Sequence, residues 1–270
     1  MKKIVVCADD YGLYPQIDQA ILDLIALKRI SATSCLMNFA GIQRAAKQLV
    51  PFFSQIDVGL HFNLTEGRPL SASPLLTADN GEFYCLAPLL GLSLTRKIDK
   101  QAVMAECHAQ VDMFESVYHV LPDFIDGHQH VHHLPVIRDA VLAVYQQRLR
   151  QHKTYCRSVR TTWPLSVKMI VLQVTGAVIF DRLLKQHTIP HNRSFSGLYG
   201  FNPQTNYSQL WRGFFKQIQT KGLIMCHPGL LYSEDCIGEV RLAEYTYLKS
   251  DVFTADCVAE NIHMTRFSAI

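Results

Sequence analysis

The sequence predicts an α/β fold, a parallel sheet with helices packed outside it, closed or nearly closed into a barrel. Three observations carry this. Short β-branched runs alternate with segments of helical period along the chain, the pattern of successive βα units. Polar clusters recur at one place in that pattern, the end of a predicted strand. Six or so such units within 270 residues fit a barrel. An open doubly wound sheet is the alternative, but no G-x-G-x-x-G follows the first strand and no P-loop occurs.

The elements follow in order. "KKIVVCA" reads as a buried strand. In "PQIDQAILDLIALKRI", Ile17, Ala20, Ile21 and Leu24 recur at helical spacing, and Pro15 suits a first turn. "ATSCLMN" reads as strand, "AGIQRAAKQLV" as helix ending near Pro51, and "DVGLHFNL" as strand. Residues 65–97 have prolines, glycines and few periodic apolar positions, which predicts a long irregular insertion, either functional or a small subdomain. Residues 98–119 predict an amphipathic helix, "DFIDGHQ" a strand, and "VIRDAVLAVYQQRLR" a helix. "TYCRSVRT" reads as strand, 166–186 and 206–220 as helices, and "GLIMCHP" as a late strand. "RSFSGLYGF", with two glycines among aromatics, reads as a mobile lid.

Composition narrows the function classes. The chain is 49% hydrophobic and 18% charged, as a folded globular protein is. The net charge of +3 is spread along the chain without a basic run, which argues against nucleic acid as a partner. None of the eight cysteines forms a C-x-x-C pair, and several sit in apolar runs, as buried free thiols do in a reducing compartment. The apolar run Ile4 to Ala8 is too short for a signal peptide, and Met169 to Phe180 is too short for a membrane span. A cytoplasmic location is expected. The apolar helix at 166–186 suits a buried helix or a homodimer interface equally.

Four polar clusters lie at predicted strand ends: Asp9 and Asp10 in "CADDYG", His61 in "GLHFNLTEG", Asp126 with His128, His130 and His132 in "DGHQHVHH", and His227 in "MCHPG". In a parallel sheet all strand C-termini open on one side, so the fold gathers residues remote in sequence. A carboxylate and two imidazoles leave coordination positions open, as catalytic metal sites do. Asp9 then suits a general base and His227 a general acid. Each piece has a plainer reading: Asp9–Asp10 as a helix cap, His61 as a core histidine, His227 as a turn residue. The fourth cluster is harder to set aside. In extended chain Asp126, His128, His130 and His132 share one face, where a metal relieves both repulsion and desolvation. Spacing leaves His128 and His132 in competition, with His130 and His133 as supporting groups. Arg157 and Arg160 can anchor Asp9 or a substrate oxygen, and a plain surface charge suits one of them equally. Trp163, Tyr199 and Phe201 can stack on a sugar or fill the core.

The stretches "ADDYGL", "GLHFNLTEGRPL", "DGHQHVHHLP" and "CHPG", in that order, resemble the signatures of the YdjC family over about residues 3–250. The resemblance implies one domain over residues 1–270, a distorted (βα) barrel of about seven units related to NodB-type polysaccharide deacetylases, with the loop insertion at 65–97. It implies a metal-dependent hydrolase that removes N-acetyl groups from a small amino sugar or oligosaccharide of the chitooligosaccharide kind. A glycolipid substrate is one alternative, and hydrolysis of another bond such as a phosphoester is a second. Carried over, the metal ligands are Asp10, His61 and His128, the base is Asp9, the acid is His227, and the substrate-side arginine is Arg160 or Arg157. The family thus selects His128 over His132. It also implies magnesium, whereas two imidazoles by their own chemistry suit zinc or another transition metal.

Overall fold

The computed structural model describes residues 1–161 and 167–269. β1 (Lys2–Tyr11) lies at the centre of a parallel sheet of order β5-β4-β3-β2-β1-β7-β6. The other strands are β2 (Ala32–Cys35), β3 (Asp57–Phe62), β4 (Phe124–Gly127), β5 (Tyr155–Cys156), β6 (Phe195–Ser196) and β7 (Gly222–Cys226). β8 (Ile262–Met264) pairs with Lys2–Ile4 of β1, before the β2 register begins at Cys7. The sheet curls until Cys156 of the two-residue edge strand β5 forms an isolated parallel bridge with His191, in the segment that leads into the other two-residue edge strand, β6. The strand–helix alternation predicts a closed or nearly closed barrel, and the family resemblance implies the distortion that the curled sheet shows.

Side-chain alternation along β1 separates two cores. Ile4, Val6 and Ala8 face the outer layer of helices, whereas Val5 and Cys7 face the barrel interior with Ala32, Phe124, Leu223 and Met225. Asp9 continues the interior face. A bulge between Ala8 and Tyr11, with Asp10 in the left-handed region at φ 73°, lets Asp10 turn toward the same strand ends. Outside lie α1 (Pro15–Ala26), α2 (Ile42–Leu49), α3 (Leu86–Leu94), α4 (Lys100–Tyr118), α5 (Ile137–Val144), α6 (Val167–Leu172), α7 (Val178–Gln186), α8 (Tyr207–Gln217), α9 (Gly238–Lys249) and α10 (Asp251–Ala259). Asp99 caps α4 by accepting from the Ala102 amide at 2.7 Å. No helix among the described residues is long and apolar enough to cross a membrane.

Several expected elements are corrected. The segment 65–97 is not irregular throughout; it contains α3 and a short antiparallel bridge between Thr77 and Phe83. The "TYCRSVRT" strand ends at Cys156, because the Asn192 side chain takes over at Ser158, bonding both its amide and its carbonyl. The 166–186 helix is two helices. A π-type turn at Gln173–Ala177 separates them around Gly176, which sits at φ 146°, where an added Cβ would meet the His133 carbonyl at 2.5 Å. Phe195–Ser196, expected in a mobile lid, pairs with β7. The helices α9 and α10 and strand β8 lie where the sequence reading placed no element. Trp163 lies outside the described residues.

Candidate metal centre and active site

The largest correction falls on the histidine cluster. β4 stops at Gly127, and the chain coils through a 3-10 turn at His128–His133, with Gln129 and His130 left-handed at φ 50° and 61°. An extended strand would have put four side chains on one face; the coil sends them to different places. Gly127 permits the tight return, since a Cβ there would meet His132 Nδ1 at 2.7 Å. His132 Nε2 donates to the Arg157 carbonyl at 2.9 Å, and burial pushes its pKa down to about 3. His133 bonds the His130 carbonyl and the Thr175 hydroxyl, and burial pushes it down to about 4. Burial likewise holds His130 well below the usual range. Burial thus disfavours the charged form of all three, and His130 and His133 also line the cavity. Of the cluster, His128 is the one that meets Asp10 and His61 at the ends of β1 and β3.

There it meets Asp10 and His61. Asp10 Oδ1 lies 3.0 Å from His128 Nδ1 and 3.3 Å from His61 Nε2. One donor atom from each of Asp10, His61 and His128 falls within 4.8 Å of the others, and all three residues are buried. Each imidazole is held from behind by a second carboxylate. His61 Nδ1 faces Asp126 Oδ1 at 2.6 Å, with Ser34 Oγ at 2.8 Å; His128 Nε2 faces Glu66 Oε2 at 3.0 Å. A carboxylate behind a histidine fixes which nitrogen is free to bind a metal. Asp10 Oδ2 accepts from Arg241 Nη2 at 2.7 Å, which fixes the carboxylate and leaves Oδ1 toward the histidines. Burial raises the Asp10 pKa, but Arg241 and His128 outweigh it and hold the group ionised. Burial lowers the His61 pKa, but Asp126 and Asp10 outweigh it and push it up to about 10. This set of donors fits a divalent cation: one carboxylate oxygen and two imidazole nitrogens, all buried, each imidazole oriented by a carboxylate behind it.

Cys7, Asp9 and Asp126 form a second such triple. A cation already stands in it. Arg157 Nη2 lies 2.6 Å from Asp9 Oδ1, 2.6 Å from Asp126 Oδ2 and 3.0 Å from Cys7 Sγ. Nη1 completes a bidentate pair with Asp9 Oδ2 at 2.6 Å. Burial raises the Asp9 pKa, but the Arg157 guanidinium outweighs it and holds the carboxyl well below the usual range. Arg157 is fully buried, is not among the described residues that line the cavity, and anchors Asp9. Arg160 does not anchor Asp9: its Nη1 donates to Asp181 Oδ2 at 3.0 Å, and it is not among the described residues that line the cavity.

A cavity of about 610 Å3 opens over this floor, and Asp9, Asp10, His61, His128 and His227 all line it. His227 follows β7. Its amide donates to Glu244 Oε2 at 2.5 Å, Phe201 packs edge-on to its ring at 5.4 Å, and its Nδ1 has no hydrogen-bond partner among the described residues. Glu244 also accepts from the Tyr199 hydroxyl at 2.5 Å. Tyr199 is thus partly buried and engaged, while Phe201 faces the cavity. Sequence reasoning missed Glu66, Ser34, Arg241 and Glu244. Glu66 stood inside a quoted motif, "NLTEG"; Arg241 and Glu244 carry no local signal, because only the packing of α9 brings them to β1 and β7.

Comparison with known proteins agrees with this architecture. The family model described as YdjC-like protein matches residues 3–259. Chitooligosaccharide deacetylases of Yersinia pestis and Yersinia pseudotuberculosis are 30% identical over 238 residues, covering 85% of this chain and 83% of theirs. A putative cellobiose-phosphate cleavage protein from Enterococcus faecalis superposes with a TM-score of 0.79 at 19% identity, covering 99% of this chain and 98% of its own. A peptidoglycan N-acetylglucosamine deacetylase superposes with a TM-score of 0.52 at 10% identity, covering 99% of this chain and 86% of its own. With the four strand-end motifs in one site and the model matched along nearly the whole chain, the protein belongs to the YdjC-like family.

Proposed function

We propose that the protein is a metal-dependent deacetylase that hydrolyses the N-acetyl group of an amino sugar. The observation that carries this is the pairing of the Asp10–His61–His128 donor set with a carboxylate, Asp9, locked beside it by Arg157. The relatives named chitooligosaccharide deacetylase point to the same substrate class. Asp10, His61 and His128 would hold the cation; when bound it supplies a Lewis acid for the acetyl carbonyl and lowers the pKa of water. Zinc or another transition metal suits two imidazole nitrogens and one carboxylate better than magnesium, the ion the family resemblance implies.

The chain's own residues divide the proton work. Asp9 accepts the proton of the attacking water. Its bond to Arg157 keeps it ionised and fixes the orientation of its oxygens. Asp126 and Glu66 hold His61 and His128 in one tautomer and one orientation. His227, on the cavity wall, donates a proton to the leaving amine. The cavity is acidic, with Glu66, Glu234 and Asp235 beside Asp9 and Asp10, and the Arg241 in its lining is already paired with Asp10 and Asp235. That field accepts an amine product and disfavours a phosphoester. The free state of all eight cysteines fits a cytoplasmic location.

The test is elemental analysis of the purified protein, then acetate release from diacetylchitobiose and a panel of N-acetyl sugars with and without chelator. Chelator-sensitive release is expected. Full activity in a metal-free protein would reject the reading.

A further inference from the structure

Asp10 is held by a guanidinium that it shares. Arg241 Nη2 donates to Asp10 Oδ2 at 2.7 Å, while Arg241 Nε donates to Asp235 Oδ2 at 2.6 Å. The Arg241 and Asp235 side chains are buried together, 4% and 6% exposed. Nη1 has no hydrogen-bond partner among the described residues, so the guanidinium divides its charge between these two carboxylates. Asp10 and Arg241 alone would make a neutral pair. With Asp235 the three carry one net negative charge, out of water and beside His61 and His128.

Asp235 belongs to the segment between β7 and α9, and that segment is fastened around Arg241. Asp235 Oδ1 accepts from the Ile237 amide at 3.0 Å, and the Asp235 carbonyl accepts from the Gly238 amide at 3.0 Å, where α9 begins. At the other end the Gly229 amide donates to the Arg241 carbonyl at 3.1 Å, and a Cβ on Gly229 would meet Arg241 Cβ and Cδ at 3.1 Å. The same segment walls the cavity with Glu234, Asp235, Cys236 and Ile237, and the Tyr232 ring rests on that of Tyr14, another lining residue, at 4.9 Å. One guanidinium thus joins a wall of the cavity to Asp10.

A cation at Asp10 Oδ1 competes with Arg241 for the same carboxylate. A guanidinium that belonged to Asp10 alone would draw off the charge the cation needs. A second carboxylate on Nε draws on that guanidinium and holds its plane from the far side, which keeps Oδ2 engaged and Oδ1 free. We propose that Asp235 is a positioning residue for the cation: acting through Arg241, it sets the charge and orientation of Asp10, and so the affinity of the Asp10–His61–His128 site. This rests on the reading of those three residues as a cation site.

The test is zinc affinity, read by competition with a chelator dye, in the unmodified protein and in Asp235→Asn, Arg241→Gln, the double variant and His61→Ala. Asp235→Asn keeps the size of the side chain and an oxygen for Arg241 Nε, and loses only the charge. It should weaken zinc binding about tenfold. In the Arg241→Gln background the same substitution should cost less, by about threefold or more, because the residue it acts through is gone. If Arg241→Gln does not fold, Arg241→Lys takes its place, since one ammonium cannot hold two carboxylates as the planar fork does. An equal loss in both backgrounds would overturn the inference, for Asp235 would then act as a charge of its own. A role confined to tying the segment to α9 would lower the urea midpoint in chelator and leave zinc affinity unchanged, which would overturn it too. Zinc binding that survives His61→Ala, or none in the unmodified protein, would remove the cation reading and the inference with it. Binding lost in His61→Ala but unaltered in Asp235→Asn would overturn the inference alone.

Discussion

At the scale of single residues, the site consists of charges that each need a partner. Arg157 illustrates it: fully buried, it is bonded to Asp9 and paired with Asp126. Arg157→Ala leaves two buried carboxylates uncompensated and should lower the unfolding free energy by about 3–5 kcal/mol in denaturant titrations, besides removing activity. His61→Ala or His128→Ala removes a donor and should abolish both metal content and acetate release, with the far-ultraviolet circular dichroism unchanged. Asp126→Asn keeps a hydrogen-bond acceptor near His61 but loses the charge; metal affinity should fall about 10–100-fold, measured by competition with a chelator dye.

At the scale of elements, local constraints and burial decide. Gly176 divides what the apolar pattern presents as one helix, and Gly176→Ala should destabilise by about 1–3 kcal/mol, because φ 146° and the His133 carbonyl both exclude a side chain. In α1, burial pushes Asp18 up to about 6, against the Gly12 amide and Arg44, which lower it. The folded state therefore binds this proton more tightly than the unfolded state. Stability from Asp18 is fully present below about pH 4 and is lost as pH rises toward 6, a loss of roughly 2–3 kcal/mol. Relative to Asp18→Asn, the unmodified protein should lose stability between those pH values and stay level above them, as read by urea midpoints across pH.

At the scale of the whole molecule, the proposed cation joins the ends of β1, β3 and β4, brought together only by folding. An ion that binds the native state alone stabilises it by mass action. Zinc at about a hundred times its dissociation constant should add about 2.7 kcal/mol, and chelation should lower the melting temperature accordingly.

The sequence by itself determined the βα order, the placing of Asp9, Asp10, His61 and His227 at strand ends, and the absence of a dinucleotide or phosphate loop, because period and composition are local properties. Tertiary structure decided which histidine of "HQHVHH" turns to the site, since two left-handed residues break the strand where the pattern predicts extension. It also decided that Arg157, not Arg160, meets Asp9, and that α9 supplies Arg241 and Glu244. Those choices depend on how the sheet curls and which helix closes against it. Contacts between residues over a hundred positions apart leave no periodic trace in the chain; they exist because buried charges must find each other once water is excluded.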